Sequence, residues 1–387
     1  MNHGARNVAI LGSTGSVGCS ALDVVRSFPE SLNVVALTAH GRLQELVEQA
    51  QEFAPRFVVA SDPKAAQNFA WQGLPPEVEL FVGPESIECV AAHQDVDVVV
   101  TAIVGSAGLR GTWAALEAGK TIALANKETL VVAGSLAMAL AERHRATILP
   151  VDSEHNAVFQ AMEAGRREDV QRVILTASGG PFLRHSLTDL QEIQVAEALS
   201  HPTWSMGPKI TVDSATMMNK ALEIIEARWL FGLQPNQIDV AIHPQSIVHS
   251  LVEFSDGSVL AQMSPPDMKL PIQYALSYPE RWDGPARRMD FSELIELSFE
   301  PPDEERFPAL QIGHEVAAAG GTSGAVVNAA NEAAVASFLS GQMRFTDIVP
   351  TCRTILNHHD FDPDPTLEEL LILDAWAREE VTRWVCT

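Results

Sequence analysis

The chain has 387 residues, 46% of them hydrophobic and 20% charged, with 26 Lys and Arg against 50 Asp and Glu for a net charge of −24. This composition supports two or three domains with real cores and excludes a disordered or fibrous protein. The acidic excess excludes broad nucleic-acid binding, and no apolar run reaches the ~18 residues of a membrane span.

NVAILG, from Asn7, reads as a buried strand so close to the start that no cleavable leader is expected before it. SVGCSALDVVRSF is the helix behind it, and LNVVALTA, RLQELVEQAQEFA and RFVVASD continue the alternation. VDVVVTAIVG precedes the helical GLRGTWAALEAG, TIALANKE precedes TLVVAGSLAMALAERHR, and ATILPVD closes the series. Continuous Val, Ile and Leu strands between amphipathic helices predict a parallel sheet covered on both faces over residues 1–151.

From residue 152 the pattern changes to that of an α+β domain running to residue 280. RVILTASGGPFLRH is a strand ending in a Gly-Gly-Pro turn, and HPTWSMGP predicts a mobile loop. DSATMMNKALEIIEARWLFG predicts a helix stopped by a glycine, and SIVHSLVEFSDGSVLAQMS a hairpin around Asp256-Gly257. Residues 281–308, rich in Pro and acids, read as a linker, and 309–387 as four helices in a small bundle. Cys19, Cys89, Cys352 and Cys386 are widely spaced, which predicts neither disulfides nor a thiolate metal site and fits a reducing cytoplasm.

GSTGSVG sets Gly12, Gly15 and Gly18 between the first strand and the first helix, where glycines permit close approach of a diphosphate to the helix N-terminus. A site for NAD carries an acid at the end of the second strand, but this one runs into His40, Gly41 and Arg42. Read alone, Arg42 equally well caps the next helix. The missing acid, with a guanidinium able to fork onto a 2′-phosphate, predicts NADP(H). Asn126, Lys127 and Glu128 end one later strand and Asp152 and Glu154 another, at the sheet edge where ligands bind.

In PVDSEHNAVFQ, an extended chain would point Asp152 and Glu154 the same way and His155 the other, leaving His155 for packing or support. An isolated Asp-x-Glu of this kind is usually a solvated loop. Two carboxylates held together otherwise call for a cation between them. Asn219, Lys220 and Glu223 share a helix face. Alone, Lys220 and Glu223 read as an ordinary surface pair. With Ser178 and Ser214, however, Lys220 and Asn219 suit a monophosphate, and Glu223 becomes a third oxygen ligand for a metal. Three carboxylates without a thiolate indicate Mg²⁺ or Mn²⁺. His243 and His249 read as structural or interfacial.

Taken in order, GSTGSVG, LANKETLV, PVDSEHNAVFQ, ASGGPF, HPTWSMGPKITVDSATMMNKALEIIEA and HPQSIVHSLVEFSDGSVLAQMSPPDMKLPIQYAL resemble the 1-deoxy-D-xylulose 5-phosphate reductoisomerase family over essentially the whole chain. The resemblance implies a Rossmann-like NADP-binding domain, an α+β catalytic domain with a sheet and mobile loop, and a C-terminal four-helix bundle. It implies NADPH- and Mg²⁺- or Mn²⁺-dependent rearrangement and reduction of 1-deoxy-D-xylulose 5-phosphate to 2-C-methyl-D-erythritol 4-phosphate in non-mevalonate isoprenoid synthesis. A cytoplasmic homodimer acting on a small sugar phosphate, with no nucleic-acid or membrane partner, is the expected form.

By motif, Asp152, Glu154 and Glu223 would be the metal ligands and, with Lys127, the catalytic groups. Lys127, Ser153, Glu154, Ser178, His201, Ser214, Asn219, Lys220 and Glu223 would meet the substrate. Thr14, Gly15, Ser16, Val17, His40, Gly41, Arg42, Asn126, Glu128 and Gly207 would meet NADPH, with Met268 near the nicotinamide and Trp204 and Met206 in a closing lid. The sequence departs from the family's usual pattern at His40-Gly41-Arg42 and at Ala177, where glycine is frequent. Two other enzymes share a two-domain plan: an aspartate-semialdehyde dehydrogenase needs a nucleophilic cysteine among the polar motifs, and a homoserine dehydrogenase gives no reason for three converging carboxylates. A dinucleotide sensor would need neither those acids nor Lys220.

Overall fold

A computed structural model of the chain describes residues 5–204 and 206–385; Cys386 lies outside them. The chain forms two compact units that cut it at other places than the four ranges above. The first comprises residues up to Thr129, Ala137–Ser153 and Asp267–Arg287; the second comprises Leu130–Leu136, Glu154–Pro266 and the chain from Arg288 onward.

The first unit is built on β1 (Arg6–Leu11), β2 (Leu32–Ala39), β3 (Phe57–Ala60), β4 (Glu79–Val82), β5 (Val98–Thr101), β6 (Thr121–Leu124) and β7 (Thr147–Pro150). They pair in the order β4-β3-β2-β1-β5-β6-β7, all parallel. Val8, Ala9 and Ile10 are fully buried because helices cover both faces of β1. The helix Ser16–Ser27 buries Ala21, Leu22, Val24 and Val25, spaced one turn apart, and leaves Asp23 and Arg26 to solvent. β4 carries no recognisable pattern: three of its four residues are exposed at the sheet's edge, so apolar and polar positions do not alternate. The segment Asp267–Arg287 returns to this unit through Arg6, whose guanidinium donates to the carbonyls of Leu276 (2.8 Å) and Tyr278 (2.9 Å). Phe28 and Trp282 add a ring contact at 4.8 Å.

The second unit holds a four-stranded sheet ordered β11-β10-β8-β9, from β8 (Val170–Ala177), β9 (Ile238–Ile242), β10 (Val248–Phe254) and β11 (Val259–Met263). β10 and β11 form the expected hairpin, β8 and β10 are antiparallel, and β9 runs parallel to β8. His243 pins the linker beside this sheet: Nδ1 donates to the Ser298 carbonyl at 2.8 Å, and Nε2 accepts from the amides of Ile247 and Val248. The stretch expected as one helix is two, Pro208–Thr216 and Met218–Phe231, broken at Met217 with φ +62°. A left-handed residue without glycine costs about 1–3 kcal/mol and persists only where packing fixes it; Met217 is almost fully buried. Four C-terminal helices follow, Ala309–Ala319, Ser323–Leu339, Ile348–His358 and Leu367–Val385. Ser323–Leu339, almost entirely buried, is the central one. Among the described residues no helix is long and apolar enough to cross a membrane.

Candidate active site

In the first unit, strand order reverses between β1 and β5, the crevice where doubly wound sheets bind ligands. Gly12 follows β1 with φ +84°, and a Cβ there would lie 2.9 Å from the Ala102 carbonyl oxygen. A Cβ on Gly18 would stand 2.6 Å from the Ser13 backbone. Only glycine fits at either position. Thr14 is buried, Gly15 is the N-cap of Ser16–Ser27, and no side chain caps that helix, so its first-turn amides around Ser16 and Val17 can receive an anion. His40, Gly41 and Arg42 are exposed. His40 Nδ1 lies 3.2 Å from Ser61 Oγ, and Arg42, at the N-cap of Leu43–Phe53, reaches Glu45 at 3.3 Å.

Asn126 is wired into the sheet's ligand edge. Its Nδ2 lies within 2.7 Å of the Ile103 carbonyl, 2.9 Å of Gly105 and 3.0 Å of Glu128 Oε2, and its Oδ1 accepts from Thr129 Oγ1 at 2.6 Å. Lys127, buried, pairs with Asp152 at the ends of the neighbouring strands β6 and β7. Met268 is the N-cap of Lys269–Ser277 and is half-buried.

Past Asp152 the chain is not extended. A helix spans Ser153–Met162, so the alternating-face argument for Asp152 and Glu154 is replaced by helix geometry, with Glu154 in the first turn. Ser153 is half-buried at the start of that helix.

In the second unit, Lys220 Nζ lies 3.0 Å from Glu154 Oε1 and also pairs with Glu223 Oε2. Asn219 Nδ2 donates to Glu223 Oε1 at 2.5 Å. Glu223 is fully buried and Lys220 nearly so. Two carboxylates 69 positions apart in sequence thus converge on one ammonium. Burial of so many charges is tolerated only when each is paired.

Ser178 and Ser214 meet at one histidine. His201 Nε2 lies 3.1 Å from both Ser178 Oγ and Ser214 Oγ, while its Nδ1 accepts from the amides of Thr203 (3.1 Å) and Trp204 (2.9 Å). An acceptor at Nδ1 makes Nε2 the protonated nitrogen, the neutral tautomer, and burial lowers the ring's pKa in keeping with it. Trp204 and Met206 are half-buried, Trp204 lies 6.3 Å from the His249 ring, and Gly207 is the exposed N-cap of Pro208–Thr216. His249 itself bonds Ser264 at 2.9 Å.

Three family models cover most of the chain: 1-deoxy-D-xylulose 5-phosphate reductoisomerase over residues 8–134, and two models of its C-terminal domain over 148–231 and 263–380. The reductoisomerase of Chlorobium phaeobacteroides (strain DSM 266) is 50% identical over 374 residues, 97% of either chain, and that of Desulforamulus reducens 49% identical over 383 residues, 98% of either. The chain belongs to the 1-deoxy-D-xylulose 5-phosphate reductoisomerase family. A solved reductoisomerase from Zymomonas mobilis in complex with NADPH superposes with a TM-score of 0.90 at 41% identity, covering 98% of this chain and 99% of that one. Another, in complex with NADPH, fosmidomycin and magnesium, gives 0.92 at 42% identity over 98% of each chain.

Within this reductoisomerase fold, two contacts on the helices around Glu223 are not evident from the sequence. His155 is fully buried: Nε2 lies 3.0 Å from the Glu223 carbonyl oxygen and Nδ1 3.3 Å from Glu226 Oε2. It reaches both partners from the helix Ser153–Met162 and not from an extended strand. Glu226 is absent from the sequence-based site. The available signal is a second acid three residues after Glu223, inside the mostly apolar run ALEIIEARWLF.

Proposed function

We propose that the chain catalyses the NADPH- and divalent-metal-dependent rearrangement and reduction of 1-deoxy-D-xylulose 5-phosphate to 2-C-methyl-D-erythritol 4-phosphate, in non-mevalonate isoprenoid synthesis. The observation that carries this reading is the convergence of Glu154 and Glu223 on Lys220, in a chain of the reductoisomerase family. Asp152 is joined to Glu154 through Ser153 alone and would complete the metal's ligand set. The donors fit the ion: carboxylate oxygens suit Mg²⁺ or Mn²⁺, and the two acids already share a cationic partner. Three carboxylates against the ammonium groups of Lys127 and Lys220 leave one negative charge, so a divalent cation would make the group net positive, as an anionic substrate requires. When bound, that cation supplies Lewis-acid polarisation of the substrate's oxygens.

The protein groups have separate tasks. Lys127, whose ammonium is buried and paired with Asp152, would hold or deliver a proton where oxygen charge develops. Ser153, Glu154 and Glu223 would orient the substrate's carbonyl and hydroxyl end. Ser178, Ser214, His201, Asn219 and Lys220 would hold its phosphate and hydroxyls, contributing binding energy remote from the reacting carbons. The turn from Gly12 to Gly18 would receive the dinucleotide diphosphate, because glycines at both ends allow the tight backbone turn that leads into the uncapped first-turn amides of Ser16–Ser27. Thr14, Gly15, Ser16, Val17, Asn126, Glu128 and Gly207 would contact NADPH, which supplies the hydride. His40, Gly41 and Arg42, without a nearby acid on β2, support the 2′-phosphate. Trp204 and Met206 would close over the substrate and exclude water.

We assign nucleotide binding to residues 1–151, catalysis and dimer contacts to 152–280, the linker to 281–308 and the helical domain to 309–387. A cytoplasmic homodimer is the proposed form, and static light scattering of the purified chain reads its mass. The activity is tested by NADPH absorbance at 340 nm in the presence of 1-deoxy-D-xylulose 5-phosphate and Mg²⁺ or Mn²⁺. A fall in absorbance that EDTA abolishes is expected. No fall with either metal contradicts the reading.

A further inference from the structure

Ser214 is preceded on its helix by a carboxylate with no part in the chemistry above. Asp213 is 1% exposed, yet it carries two strong polar contacts. Its Oδ2 lies 2.7 Å from Lys209 Nζ, one turn earlier on the helix Pro208–Thr216, and its Oδ1 accepts from Asn331 Nδ2 at 2.8 Å. Lys209 is two residues from Gly207, where the segment bearing Trp204 and Met206 ends. Asn331 belongs to Ser323–Leu339, the central C-terminal helix. One buried carboxylate therefore ties together the first turn of Pro208–Thr216, the turn carrying Ser214, and the helical bundle.

The contact is not explained by general packing. A buried carboxylate requires full pairing, and replacing it with an apolar side chain of similar volume is often neutral or stabilising. Asn331 is fully buried, and its Oδ1 has no hydrogen-bond partner among the described residues. Leaving a buried amide oxygen unmet costs about 1–3 kcal/mol, which an apolar residue would avoid. What Asn331 contributes in return is the hydrogen bond to Asp213. Cys352, on Ile348–His358, completes the surroundings as a buried thiol whose pKa is raised by burial and, secondarily, by the charge of Asp213.

We propose that Asp213 is a positioning residue for the phosphate end of the site. Its carboxylate fixes the register of Pro208–Thr216 against the C-terminal helices, so that Ser214 Oγ meets His201 Nε2. The C-terminal helices thereby act in substrate binding and not only in stability. This rests on the reading of Ser214 and His201 as phosphate contacts.

The test compares steady-state kinetics of the full chain for Asp213→Asn, Lys209→Met, Asn331→Ala and Asn328→Ala. Asn328 is the matched control: it is equally buried on the same helix, but its Nδ2 donates to Glu332 at 2.9 Å and not to Asp213. Asp213→Asn is expected to lower kcat/KM for 1-deoxy-D-xylulose 5-phosphate by about tenfold or more while KM for NADPH stays within about twofold. Lys209→Met and Asn331→Ala move the same ratio in the same direction, and Asn328→Ala lowers thermal stability without moving it. Should Asp213→Asn fail to fold, Lys209→Met and the asparagine pair decide between the outcomes. The proposal is overturned if the folded variants at 209, 213 and 331 keep wild-type kcat/KM, or if Asn328→Ala lowers it as much as Asn331→Ala. An inactive wild-type chain would instead overturn the proposed activity.

Discussion

Glu223 has no exposed surface, and its two carboxylate oxygens are engaged by Asn219 and Lys220. Replacing it with Gln keeps volume and removes one negative charge from the proposed ligand set. Glu223→Gln should lower kcat by about 100-fold or more at saturating metal, with KM for NADPH unchanged. Unchanged kcat in a folded variant would remove Glu223 from the site. Glu226 makes a different prediction. Facing His155 at 3.3 Å with both side chains fully buried, it supports the backbone of Glu223. Glu226→Ala should cost about 1–3 kcal/mol of stability by urea denaturation, because it takes away the buried carboxylate facing the His155 ring. A loss under about 1 kcal/mol would show that the pair is dispensable. At this scale the i, i+3 and i, i+4 spacing of Asn219, Lys220 and Glu223 is legible in the sequence, since a helix fixes which side chains share a face. The conformation at Glu154 is not: the expected extended backbone is a helix. Asp152 and Glu154 before an apolar run are also the acids of a helix start, and that signal outweighs the preceding strand.

At the scale of elements, His201 couples two pieces of chain by hydrogen bonds at both ring nitrogens. Burial depresses its folded pKa, so the unfolded chain binds the extra proton first, near the ordinary value of about 6.5. Stability from this residue is present above about pH 6.5 and is lost as pH falls from there toward the folded pKa. Thermal melts of wild type and His201→Asn should therefore differ most near about pH 7.5 and converge toward about pH 5.5. A constant gap would contradict the assignment of a neutral ring. The turn after β1 makes a steric prediction: Gly18→Ala places a methyl 2.6 Å from the Ser13 backbone. It should cost about 1–3 kcal/mol of stability and weaken NADPH binding measured by fluorescence. Wild-type affinity in that variant would exclude the turn as a tight cradle. Buried strands and the hairpin are legible because burial leaves a pattern in the sequence. The break at Met217 is not: Thr216-Met217-Met218 carries no Gly or Pro, and only tertiary packing holds its left-handed backbone.

At the scale of the whole molecule, a chain of net charge −24 gathers Lys127 and Lys220 beside its proposed catalytic acids, so local pairing and not overall charge would admit an anionic substrate. The alternation of strands and helices is readable from composition and period alone. The return of Asp267–Arg287 to the first unit is not, because it depends on Arg6 reaching backbone carbonyls about 270 residues away. The central claim, that Asp152, Glu154 and Glu223 jointly hold one hard divalent cation, is tested most directly by titrating Mn²⁺ into the purified chain and reading free Mn²⁺ by electron paramagnetic resonance. One Mn²⁺ per chain is expected in the wild type, with binding weakened at least tenfold in each of Asp152→Asn, Glu154→Gln and Glu223→Gln. Equal Mn²⁺ affinity in wild type and all three folded variants would contradict it.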